Sequence, residues 1–117
     1  VWAFWLRQPA LAEHVDFITV HLLPYWEGLP VETAVDYALQ RYSEVRQRFP
    51  DKPVVIGESG WPAAGRQRGP AVPGRLEQTR FVRELLAVQA STPHRMRRLA
   101  LCAPSLSGSP HSTSTTT

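Results

Sequence analysis

The sequence holds a single cysteine, Cys102, among its 117 residues. No intrachain disulfide can form, and this cysteine usage leaves the redox compartment open. No apolar run approaches the ~18 residues of a membrane span, and no signal-peptide pattern is visible. His14, His21, His94 and His111 lack metal-ligand spacing, and no cysteine pair accompanies them. No metal or other cofactor is therefore expected. Asparagine is absent altogether. No acidic residue follows Glu84.

That last absence explains the charge. The sequence pI is about 9.6, which could suggest a nucleic-acid partner. Residues 1–90, however, carry ten Lys+Arg against ten Asp+Glu. Arg95, Arg97 and Arg98 supply the whole excess, and three arginines in a tail are too small a footprint. Nucleic acid is excluded as a partner.

What is present reads as alternating strands and helices. Phe17–His21 is β-branched and apolar, as in a buried strand. A loop over 22–30 follows, bounded by Pro24 and Pro30. Residues 31–49 place Ala34, Val35, Ala38, Leu39, Tyr42 and Val45 at helical spacing, and Pro50 helps end the helix. Val54–Gly57 is a second short strand. A loop rich in Gly, Pro and Arg spans 59–74, and a helix from Gly74 or Arg75 to about Ala90 carries Val82, Leu85 and Leu86 on its apolar face, with Phe81 at one edge. Two consecutive β-α units predict neighbouring parallel strands covered by helices. Residues 91–117 form a low-complexity tract that is expected to be disordered.

Two segments carry candidate chemistry. In Pro53–Pro62, Glu58 directly follows a buried strand, and C-terminal strand ends form the working face of parallel α/β folds. Gly57 and Gly60 allow close turns beside it, and Trp61 is expected to offer a ring face to a sugar. In Val20–Glu27, His21, Tyr25, Trp26 and Glu27 combine aromatic platforms with hydrogen-bonding groups at the end of the other strand. Sugar sites need both. The competing reading makes Glu58 a solvated loop residue and the aromatics packing groups. Ser59 lacks the second glycine of a nucleophile elbow, since Trp61 stands there. Arg66, Arg68 and Arg75 read as a solvated loop face, with an anionic ligand as the other reading. Glu13 and Asp16 read as structural.

On Val15–Gly28 and Lys52–Pro62 the sequence resembles glycoside hydrolase family 17, most of all its bacterial branch of β-1,3-glucan transglycosidases and β-glucan synthases. The likeness runs over residues 1–90. It implies a (β/α)8 barrel, of which this chain would be a C-terminal part, since a whole barrel takes about 250 residues. Val1–Trp5 resembles the end of the preceding barrel strand and its loop. Glu58 matches the family nucleophile of a retaining mechanism on β-glucan. Tyr25 and Trp26 match the substrate-binding loop, and His21 matches a position at its base. The family acid/base lies in an Asn-Glu motif, and without asparagine this chain cannot contain it. Residues 91–117 also lack Trp, Tyr and Phe, where the family places an aromatic last strand. A frameshift or a gene-model error would account for that change. The chain is expected to be inactive by itself, and unpaired strand edges are expected to make it unstable or prone to aggregate. The family implies an envelope or secreted location and leaves membrane association of the parent open. The alternatives are a non-catalytic carbohydrate-binding remnant and a structural α/β module.

Overall fold

The structure is a computed structural model and describes residues 2–91. The tail expected to be disordered lies outside the described residues beyond Ser91. The element order is α1 (Trp2–Arg7), a 3-10 turn (Pro9–His14), β1 (Ile18–Leu22), α2 (Val31–Arg48), β2 (Val54–Ser59) and α3 (Arg75–Ser91). β1 and β2 pair in parallel as a two-stranded sheet. The described residues are thus a mixed α/β unit with two successive β-α units, and they do not close a barrel.

The start of the chain corrects one expectation. Trp2–Trp5 is not the end of a strand but part of a helix. Trp2, Trp5 and Leu6 recur at helical spacing and pack against the core, which a strand's alternation could not achieve. The Trp5 indole donates to the carbonyl of Thr19 at 3.1 Å, fixing α1 against β1.

The core falls into two clusters joined by α2. Ile18, Val20, Leu22, Val54 and Ile56 from the sheet meet Ala38, Tyr42 and Val45 of α2. The buried Tyr42 hydroxyl donates to the Val54 carbonyl at 2.9 Å, so no polar group is stranded there. One turn earlier, Val31, Ala34 and Val35 of α2 meet Tyr25, Trp61, Ala71, Phe81 and Leu85. The burial of α3 differs from expectation. Phe81 and Leu85 are buried, whereas Leu86 is 44% exposed. Phe81, Leu85 and Val88 form a single stripe four and three residues apart, and Leu86 lies about 100° off it.

Candidate functional site

The site begins with an irregularity in the sheet. Ile18, Thr19 and Val20 pair with Val54, Val55 and Ile56, but His21 then pairs with Glu58 and Leu22 with Ser59. Gly57 is the extra residue of a bulge. Side chains alternate along a strand, so without the bulge Glu58 would share a face with the buried Leu22. The bulge flips the phase. Ser59 becomes fully buried and donates its hydroxyl to the Leu22 carbonyl at 2.8 Å. Glu58 joins His21 on the open face at the C-terminal strand ends.

Only glycine fits at the bulge. A Cβ on Gly57 would lie 2.2 Å from Thr19 Cγ2 and 3.4 Å from the His21 ring. His21 Nδ1 faces Glu58 Oε2 at 3.4 Å, with 41% and 37% of the side chains exposed. The separation is longer than a well-formed hydrogen bond. Glu58 is therefore a carboxyl side chain accessible to a ligand, with an imidazole beside it.

The loop after β1 makes one tight turn. Trp26, Glu27 and Gly28 donate backbone N–H groups to the carbonyls of Leu23, Pro24 and Tyr25. Gly28 closes the turn at φ 76°, a left-handed conformation that favours glycine. The turn sends neighbouring side chains in different directions. Tyr25 points inward, its ring 5.5 Å from that of Trp61 and its hydroxyl donating to the Arg66 carbonyl. Trp26 points out and is 52% exposed.

Two expected sugar platforms are thereby corrected. Trp61 is only 1% exposed. Its ring packs 5.8 Å from that of Phe81, and its indole donates to the Val72 carbonyl at 2.9 Å. Tyr25 is likewise buried. Both rings anchor the two loops to α3 and present no open face. Of the aromatics expected to meet a sugar, Trp26 alone is exposed.

Glu27 is exposed and links the loop to two helices. Its carboxylate accepts from the Trp2 indole at 3.1 Å. Burial, then the hydrogen bond and charge of Glu27, push the Tyr37 hydroxyl up from 10.0 to about 12. Tyr37 therefore contributes stability fully below pH 10, and that contribution is lost between pH 10 and about 12. Substitution of Glu27→Gln is expected to lower the Tyr37 titration, read by tyrosinate absorbance. It should not return fully to the ordinary value, because burial remains. An unchanged titration would refute the role given to Glu27 as a clamp between the loop and α2.

Several contributors were not visible in the sequence. The bulge at Gly57, the bond of Ser59 and the bond from Gln78 Nε2 to the Trp61 carbonyl at 2.8 Å all depend on contacts between distant segments. Among the described residues, no group of three or more His, Cys, Asp or Glu gathers as a metal site, and no helix is long and apolar enough to cross a membrane. Two open cavities, of 670 and 460 Å³, share residues 49–52. They lie at the opposite ends of the strands and contain no candidate residue.

The family described as the BtgE/BtgC glycoside hydrolase domain matches residues 1–96. A probable β-glucosidase, btgE, of Emericella nidulans is 31% identical over 86 residues, covering 70% of this chain and 15% of that protein. A glycoside hydrolase family 17 β-1,3-glucanosyltransferase from Rhizomucor miehei has a similar structure. The TM-score is 0.70 at 25% identity, over 78% of this chain and 33% of that one. An active-site mutant of a Rhizomucor miehei β-1,3-glucanosyltransferase in complex with laminaritriose matches with a TM-score of 0.67 at 26% identity, over 72% of this chain and 32% of that one. The chain thus spans about a third or less of the proteins it matches. These relatives are fungal, and the bacterial affinity expected from the sequence draws no support from them.

Proposed function

Because the chain belongs to the BtgE/BtgC glycoside hydrolase domain family, we propose that it is part of a retaining β-glucan glycosidase or transglycosidase with Glu58 as its nucleophile. The observation that carries this reading is the Gly57 bulge. It turns Glu58 out of the core and onto the strand-end face, beside His21. A buried structural glutamate would need no such irregularity.

In the proposed reaction a Glu58 oxygen attacks the anomeric carbon of a β-1,3-linked glucose. The bond to the departing oxygen breaks as the glycosyl ester forms. In a retaining enzyme a second carboxyl, about 5–5.5 Å away, protonates that oxygen and later deprotonates the water or sugar acceptor. Water gives hydrolysis, and a sugar hydroxyl gives transfer. The Asn-Glu motif that supplies this group in the family is absent from these 117 residues. Here the leaving oxygen would depart unprotonated, which an unactivated glucan cannot do at a useful rate. Of the binding residues, His21 orients Glu58 and Trp26 stacks on the ligand. Tyr25, Trp61 and Glu27 hold the loops that present them.

An activated substrate isolates the nucleophile from the missing acid. The chain is expected to leave laminarin intact. With added azide it is expected to release dinitrophenolate from 2,4-dinitrophenyl β-laminaribioside and form the β-glycosyl azide, because azide needs no general base. Glu58→Gln should abolish this. Laminarin cleavage by the chain would contradict the missing acid. Release unaffected by Glu58→Gln would contradict the nucleophile. The exposure of Trp26 favours a second reading, a binding remnant without chemistry, marked by laminarin affinity that persists in Glu58→Gln with no azide-dependent release.

A further inference from the structure

The loop over 60–74 is charged in a way that neutral-glucan binding does not require. It contains Arg66 and Arg68 and no acidic residue, whereas residues 1–58 carry five basic and eight acidic side chains. The chain is balanced overall up to residue 90, so this positive charge is concentrated on one loop. That loop belongs to the strand-end face, because it leaves β2 after Ser59, one residue beyond Glu58.

The loop also has a defined shape. Arg68 and Ala71 exchange backbone hydrogen bonds at 2.9 and 3.0 Å around Gly69, which has φ 56°. The Tyr25 hydroxyl holds the Arg66 carbonyl, and Gly28 lies so close that a Cβ there would be 3.6 Å from the Arg68 carbonyl. These contacts lock the turn against the loop that carries Trp26. The Arg68 guanidinium carbon sits 4.9 Å from the Trp26 ring centroid.

A guanidinium stacked on an indole keeps its in-plane N–H donors free at the edge, where they can grip a planar anion. Two other arginines are engaged by carboxylates: Arg41 pairs with Glu44, and Arg80 with Glu32 and Glu84. Among the described residues neither Arg66 nor Arg68 has one. We propose that Trp26 and the Arg66–Arg68 turn form a subsite for an anionic substituent, a carboxylate or a phosphate, on the bound β-glucan. This rests on the glucan reading above and adds a charge preference to it.

The test compares binding of the 117-residue chain to laminarin, carboxymethylated laminarin and phosphorylated laminarin of matched length. At low salt at least one substituted glucan is expected to bind about fivefold tighter than laminarin, the scale of an exposed charge pair. The stronger of the two identifies the substituent. The preference should vanish in Arg66→Gln/Arg68→Gln and persist in Arg7→Gln/Arg83→Gln, which removes equal charge from exposed helix positions. In the unaltered chain it should also shrink as salt rises to about 0.5 M. Equal affinities, a preference insensitive to salt, or a preference lost equally in both variants would overturn the subsite and leave the glucan reading standing. If laminarin and both derivatives all fail to bind, the glucan reading falls, and this inference with it.

Discussion

Substitution of Gly57→Ala is expected to destabilise the chain by about 3 kcal/mol, the upper end of the usual cost of overpacking. The reason is a steric conflict with no simple escape. The new Cβ would stand 2.2 Å from Thr19 Cγ2. Thr19 is β-branched and stiff at χ1, and it belongs to the strand paired with Gly57's own. Relief therefore requires the strands to move apart at the bulge, the feature that sets the phase of Glu58 and Ser59. For a small domain such a loss is a large share of total stability. Urea or thermal melts of both proteins would measure it. The double variant Gly57→Ala/Thr19→Ser removes the offending methyl and should recover most of the loss, because residues in contact are coupled. An unchanged melting temperature for Gly57→Ala would show that the bulge yields easily, and the explanation for the placement of Glu58 would fail.

Much of the scaffold was legible in the sequence because periodicity reports local geometry. The helix over residues 31–49 was readable from Ala34, Val35, Ala38, Tyr42 and Val45, and α2 ends within one residue of that reading. Both strands were readable from their β-branched runs, although β2 continues to Ser59. The segment Trp2–Arg7 was not readable as a helix. Trp2–Arg7 is short, and its two tryptophans fit a strand end equally well until Leu6 completes the stripe.

The site was legible only in outline. The strand-end position of Glu58 followed from the alternation of elements. The bulge did not, because it depends on the register between strands separated by a long helix. The fates of Tyr25, Trp26 and Trp61 were hidden for a related reason. All three are aromatics in loops, and exposure separates them only once the turn ending at Gly28 and the packing of Phe81 are known. The contacts of Glu27 were hidden as well, because its partners, Trp2 and Tyr37, lie on two different helices.

The largest effect expected of any single substitution is complete loss of covalent chemistry in Glu58→Gln. The amide keeps the size and the contact with His21 but has no nucleophilic oxygen anion. The other half of a retaining mechanism is not needed to show this. Fluoride departs from a glycosyl fluoride without protonation, and a fluorine at C2 slows breakdown of the ester by withdrawing electrons from an oxocarbenium-like transition state. Incubation with 2-deoxy-2-fluoro-β-laminaribiosyl fluoride, followed by proteolysis and mass spectrometry, therefore tests the central claim most directly. The account predicts one glycosyl adduct on the peptide containing Glu58 and none in Glu58→Gln. No adduct on the folded chain, or an adduct on another carboxylate such as Glu27, would contradict it.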